Sequence, residues 1–256
     1  MSNIVSIEDL ICGTHIEKAL FIDSDYVGLV TRLRADIAEL HPQIQKAIEP
    51  DAILPASSIF PFLARKFLEL SLTSILARLD PLRVIAARKH QLDDSYKEGQ
   101  KNPSSIDWTG DIFPKSPSAN NFWNTTTLAK GVERSLFGGH YSEIAILPGL
   151  QYLIDNNNYG DSAWLREFAK SENPIKWLTE QLRNLYSILS KGVHFEYLLD
   201  DRVDFDETSI KQHMQDCYML VLILATATHV SPLFLRSIRI EDALLSLKNI
   251  EKQITS

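Results

Sequence analysis

ASSIFPFLARKFLELSLTSILARL, residues 56–79, is the stretch on which the fold class turns. Phe60, Leu63, Phe67, Leu68, Leu72, Ile75, Leu76 and Leu79 recur at threes and fours and wrap more than half of a helical circumference. A helix that apolar on so many sides must be surrounded by others, so the stretch predicts a central helix. Pro55-Ala56-Ser57-Ser58 opens it and Asp80-Pro81 closes it. The residue before a proline is driven out of helical geometry, and the proline itself suits the first turn of the next helix.

The same spacing appears on both sides. Ser24-Asp25 reads as an N-terminal cap for Tyr26, Val27, Leu29, Val30, Leu33, Ile37 and Leu40, with His41-Pro42 expected to interrupt that helix. A helix is expected from Pro81 to about Tyr96, a weak one over Leu128–Phe137, and one over Tyr141–Asp155 broken at Pro148-Gly149. A short one spans Ser162–Lys170, and strong ones follow from Asn173-Pro174 to Lys191 and from Glu207 to Ser237. A last amphipathic helix carries Ile240, Leu244, Leu245, Leu247 and Ile250. Alternating runs of strand length are almost absent. The fold expected is all-α: one continuous helical domain over residues 1–256, with its core in Ala56–Leu79, Pro174–Lys191 and Glu207–Ser237.

Residues 97–127 differ in character, with three prolines and many Asn, Ser and Thr. Trp108, Phe113, Phe122 and Trp123 are more aromatic content than a solvated linker needs. They predict a loop pinned to the core, with a substrate lid or docking segment as the other reading.

Composition narrows the function classes. A content of 45% hydrophobic and 23% charged residues is that of a globular chain, and a net charge of −7 gives no general attraction to nucleic acid or anionic membranes. Cys12 and Cys217 stand far apart with no CxxC or Cys/His spacing, which leaves neither a disulfide framework nor a zinc ribbon. The opening MSNIVSIEDL has no basic leader or apolar segment, and Tyr218–Thr228 is shorter than the roughly 20 apolar residues a membrane span needs. The expectation is a cytoplasmic protein without a membrane segment. No Walker loop, GxGxxG, GxSxG, HExxH or EF-hand motif occurs, so no cofactor and no metal is implied. The acids Asp200, Asp201, Asp204, Asp206 and Glu207 lack calcium-loop spacing and read as a solvated strip whose last members favour the next helix N-terminus.

Chemistry concentrates at LRNLYSILSKGVHFEYL, residues 182–198. Arg183, Tyr186, Ser190 and His194 are spaced by three, four and four, and on an unbroken helix Arg183 and His194 lie only about 20° apart and about 16 Å apart along the axis. The other reading is a helix end, with Lys191 near the dipole's negative pole, Gly192 as the terminating residue and His194 capping carbonyls. Arg65 and Glu69 form a second pair at i, i+4 on the apolar helix. They are either a mutual ion pair or a phosphate-binding fork with its orienting carboxylate. Their neighbourhood, residues 61–91, carries six arginines and lysines against two carboxylates. Arg134 and His140, separated by two glycines and three other residues, are a weaker third combination.

Taken together, Arg65-Lys-Phe-Leu-Glu69 on an early apolar helix and Tyr186-Ser-Ile-Leu-Ser190-Lys-Gly-Val-His194 downstream resemble the HEPN superfamily, closest to its divergent abortive-infection branch. The usual family signature is Arg, often with a polar residue after it, then four to six residues and His. Arg183-Asn184 opens in that way, but ten residues intervene before His194. The resemblance implies a helical bundle, often a homodimer, and a metal-independent ribonuclease acting as a toxin or antiphage effector under a partner or antitoxin protein. His194, Arg183 and Arg65 would then be the catalytic residues on an RNA substrate, supported by Glu69, Tyr186, Ser190 and Lys191. A non-catalytic sensor or adaptor that binds a partner protein is the competing expectation.

Overall fold

A computed structural model describes residues 3–14, 24–49, 55–94, 96–97, 105–115, 134–156, 162–194 and 205–255. The fold is all-α, and among the described residues the only β-type pairing is an isolated bridge between Thr109 and Phe113. The helices are α1 (Ile7–Cys12), α2 (Ser24–Ala47), α3 (Ala56–Leu79), α4 (Pro81–Gln91), α5 (Leu147–Asp155), α6 (Ala163–Phe168), α7 (Pro174–His194), α8 (Glu207–Thr228) and α9 (Ile240–Thr255).

The central helix is α3, with the bounds its apolar pattern predicts. It packs against α1, α2, α4, α7 and α8. Phe60, Phe67, Leu68, Leu72, Ile75 and Leu76 are fully buried, so most of the apolar surface is covered as its chemistry demands, with Phe62 left exposed. α8 is the second core helix, buried continuously from Leu220 to Thr228 and packed on α3, α5, α7 and α9.

Side-chain caps set several of the starts. Asp80 accepts from the Arg83 N–H ahead of Pro81, Ser162 from Leu165, Asn173 from Lys176 ahead of Pro174, and Asp206 from Ser209. The cap role expected of the last acids in the 196–207 strip therefore holds for Asp206, whose pKa the Ser209 backbone N–H holds below the usual carboxylate value. Asp200, Asp201 and Asp204 lie outside the described residues.

Five helix expectations need correction. Pro42 does not interrupt α2, which runs unbroken to Ala47; Pro42 and Ala38 lie on its exposed face, where water can take the carbonyl that proline leaves unbonded. Pro148 does not break its helix either. A turn at Gly139–Tyr141 passes through a π-helical stretch, Ser142–Ile146, whose wider winding accommodates the missing N–H, and α5 follows directly. The residues from Arg134 to Phe137 are not helical, because the Leu136 and Phe137 N–H groups donate to the carbonyls of Asp111 and Ile112 instead of to a preceding turn. Residues 128–133 lie outside the described set, as do Phe122 and Trp123. α8 stops at Thr228, not Ser237, and α4 stops at Gln91, short of Tyr96.

The reason α8 stops lies at Arg78. This side chain is 0% exposed, in the last turn of α3. Its Nε donates to the Leu235 carbonyl (2.9 Å), Nη1 to the Ile11 carbonyl (3.2 Å) and the Thr228 hydroxyl (2.8 Å), and Nη2 to His229 Nδ1 (3.1 Å) and the Ser237 hydroxyl (3.4 Å). His229 Nδ1 also accepts from the Ile238 N–H, so its Nε2 carries the proton and donates to the Leu10 carbonyl at 2.8 Å. Burial, followed by the Arg78 charge, pushes His229 down to about 3, which keeps it neutral. One guanidinium thus joins the end of α1, the end of α8 and the 229–238 turn. That turn needs a left-handed residue, Arg236 at φ 62°, whose carbonyl sits where a Cβ on Gly13 would be.

Candidate functional site

The candidate site is built where α7 crosses α3. Leu178, Leu182, Leu185 and Leu189 bury one face of α7, leaving Arg183 and Ser187 on the exposed side and Tyr186 at the boundary. Arg65 and Glu69, one turn apart on α3, meet Tyr186 there. Arg65 Nε donates to Glu69 Oε1 (3.0 Å), Arg65 Nη2 donates to the Tyr186 hydroxyl (2.8 Å), and that hydroxyl donates to the same Glu69 oxygen (2.9 Å). The three groups close a triangle, with the guanidinium also lying 4.8 Å from the Tyr186 ring centroid.

The electrostatics follow from that triangle. Burial, reinforced by the bond to Glu69, pushes the Tyr186 phenol up to about 12. Partial burial opposes the Arg65 charge, yet Glu69 and the Tyr186 oxygen hold the guanidinium above the ordinary arginine value. Both shifts favour the arrangement as drawn, a neutral phenol between two charges.

The long loop supplies the other wall. Trp108 stacks on Tyr186 with ring centroids 3.7 Å apart and planes 10° from parallel. Phe113 stacks on Phe137 at 4.9 Å, and Arg183 reaches back over the Phe113 ring at 4.6 Å. The loop is fixed from beneath by Arg83, whose Nε and Nη2 donate to the two Asp111 oxygens at 2.6 and 2.8 Å, and whose Nη2 also holds the Ser105 carbonyl. The described part of the loop is therefore pinned by its aromatic residues, as its composition predicts. Between loop and helices opens a cleft of about 240 Å³ lined by Arg65, Glu69, Thr73, Ile106, Asp107, Trp108, Ile112 and Tyr186.

The remaining sequence-derived residues fall at different distances. α7 continues through Gly192 to His194, so Gly192 does not terminate it as one reading held. A side chain is excluded at Gly192 because a Cβ would stand 2.6 Å from Phe205 Cζ and 2.8 Å from Pro61 Cγ. With the helix unbroken, His194 is about 12 Å along the axis from Tyr186 and about 16 Å from Arg183. The His194 side chain lies outside the described residues. Ser190 is half-buried, and its hydroxyl has no partner among the described residues; Lys191 is exposed. Arg134 is drawn to Asp80 (3.7 Å), which also accepts from the Tyr141 hydroxyl at 2.9 Å. His140, next to that cluster, is only 5% exposed and so has no open path to a substrate.

Sequence reasoning missed Thr73, Ile106, Asp107 and Ile112. No periodicity marks loop residues, and Thr73 is one polar residue in an apolar helix. No group of three or more His, Cys, Asp or Glu residues among those described could hold a metal ion, and no helix among them is long and apolar enough to cross a membrane. Comparison with known proteins returned no matching family model, no matching curated protein and no matching solved structure.

Proposed function

We propose that this chain is a metal-independent RNA-cleaving effector of the HEPN-like kind, with His194 as general base. The observation that carries the reading is the continuity of α7: Arg183, Tyr186, Ser190 and His194 sit on one unbroken helix, and α3 brings Arg65 and Glu69 to its middle beside an open polar cleft. In this reading the His194 imidazole, half-charged near neutral pH, takes the proton of a ribose 2′-hydroxyl. The 2′-oxygen attacks the adjacent phosphorus, the P–O5′ bond breaks, and a proton from water completes the 5′-hydroxyl. The products are a 2′,3′-cyclic phosphate and a 5′-hydroxyl end. Arg183, about 16 Å away on nearly the same helical strip, meets a neighbouring phosphate of the same strand and so holds the RNA in register. Arg65 and Glu69 hold Tyr186 and so position the helix rather than touch the reacting atoms. Following the family it resembles, the protein works in the cytoplasm as a homodimeric toxin or antiphage component, held silent by a partner protein.

The second reading, a non-catalytic helical module that binds a partner protein, draws on one specific observation. Arg65, Glu69 and Tyr186 satisfy one another, as a clamp between two helices does without any ligand. One experiment separates the readings. Purified protein is incubated with single-stranded RNA in EDTA, the new ends are identified, and His194→Ala is run beside it with thermal melts of both. Cleavage leaving cyclic phosphates, abolished by His194→Ala at unchanged melting temperature, supports the effector. Intact RNA, or cleavage that His194→Ala leaves untouched, removes it in favour of the module.

A further inference from the structure

Resting on the RNA reading above, we infer that the cleft between α3 and the loop receives a nucleobase carrying amino hydrogens, and not a phosphate. Arg65 is the one cation lining the cleft among the described residues, while Glu69 and Asp107 are both carboxylates. The balance is one negative charge, which repels a phosphate. The Arg65 fork is moreover engaged by Glu69 and Tyr186. What the cleft offers a ligand is acceptors. Glu69 takes both of its bonds on Oε1, its side chain is 44% exposed, and Oε2 takes part in neither bond. Asp107 is exposed, with Oδ1 receiving the Ser105 hydroxyl and Oδ2 turned to none of the described groups. Thr73 adds a hydroxyl.

Shape points the same way. The cleft's other walls, Ile106, Trp108 and Ile112, are apolar or aromatic, and its volume of about 240 Å³ admits a small planar ring. Pockets that combine apolar walls with a few polar groups orient flat ligands by their edges, and single-stranded RNA is read in this way, base by base. With the base inside, the backbone stays outside the cleft, and the two helices that bound it each carry an exposed cation, Lys66 and Arg183. The acceptor-rich lining also selects among bases. Adenine, cytosine and guanine each present an exocyclic amino group with two hydrogens to a carboxylate, whereas uracil has no amino group and offers a single N3–H flanked by two repelling carbonyl oxygens.

The test needs no cleavage. The wild-type chain is titrated calorimetrically with adenosine, cytidine, guanosine, uridine and inorganic phosphate. The expected result is that at least one amino-bearing nucleoside binds tenfold or more tightly than uridine, with no heat from phosphate. Asp107→Asn and Thr73→Val, both on the cleft wall and outside the Arg65 triangle, should each weaken that binding severalfold at unchanged melting temperature. Binding of phosphate as tight as that of any nucleoside overturns the inference. So does the absence of nucleoside binding, or binding that neither variant alters. The two readings fail separately: a chain that binds cytidine but leaves RNA intact loses the nuclease assignment and keeps the base site. A chain that cuts RNA through His194 but binds no nucleoside loses the base site alone.

Discussion

Replacing Arg78 with Met isolates what the buried guanidinium does, because Met keeps most of the unbranched volume and removes every donor. Five bonds disappear. The Thr228 and Ser237 hydroxyls still donate to the Ala225 and Phe234 carbonyls, and His229 Nδ1 keeps the Ile238 N–H. The carbonyls of Ile11 and Leu235 lose the bonds Arg78 gave them, at about 1–3 kcal/mol for each buried acceptor left unsatisfied. Against this stands a gain. Burial, with a smaller push from the Arg236 charge, draws Arg78 down to about 10, in keeping with the cost of holding a cation in the core, and Met relieves that cost. The acceptors should win, because no backbone movement lets water reach the end of α1 without unpacking Leu10 and Ile11, both fully buried. A net loss of about 3 kcal/mol is expected, which for a chain of this size is a fall of roughly 6–12 °C in melting temperature. Hydrogen exchange localises the effect: amides of α1 and of residues 229–238 should lose protection first, while those of α7 keep theirs. A melting temperature within 2 °C of wild type, with α1 still protected, would refute the reasoning.

Two further changes test the packing and the clamp. Gly149→Ala places a Cβ against the backbone carbonyl of Ala227, a group that cannot swing aside, so despite alanine's better helix propensity it should cost about 2 kcal/mol in urea unfolding. Tyr186→Phe keeps the ring under Trp108 and removes the hydroxyl between Arg65 and Glu69, a loss of about 1 kcal/mol. Because the folded site favours the neutral phenol, Tyr186 stabilises fully below pH 10, its ordinary value, and that contribution fades as the pH climbs towards 12. The stability gap between wild type and Tyr186→Phe should therefore narrow from pH 9 to pH 11, and a gap that widens contradicts the geometry.

The fold was readable where one physical rule acted alone. α3 has the bounds its apolar spacing requires, and Pro174, placed after Asn173 at a helix start, marks α7 because cap and proline agree. It was unreadable where a local rule met a tertiary answer. Pro42 and Pro148 are helix breakers by their own chemistry, yet one faces water and the other follows a π-turn. Gly192 is a helix terminator by propensity, yet its missing side chain is what lets α7 approach Pro61 and Phe205. The most consequential failure was α8, whose apolar run ends where its polar partners begin. Thr228 and His229 look like ordinary helix residues until Arg78, about 150 positions away, claims them.

The site divides along the same line. Arg65, Glu69 and Tyr186 were visible because two of them are polar on an apolar helix and the third lies at helical spacing from other polar groups. A buried or half-buried charge must find a partner, so their meeting is a consequence of burial before it is a sign of chemistry. What the sequence could not convey is the sign of the cleft they border. Residues 61–91 are strongly basic in composition, which suits a phosphate. In three dimensions Arg78 is locked in the core, Arg83 is bound to Asp111, Arg88 donates to the Asp25 carbonyl, and the loop contributes Asp107. Four of the six cations counted along the chain are thus held by structural partners, Lys66 and Lys89 stay exposed on the helix surfaces, and the lining of the cleft itself is acceptor-rich. A linear count of cations predicts anion binding only when their side chains still face solvent, and here the folded arrangement reverses the local polarity that the count implies.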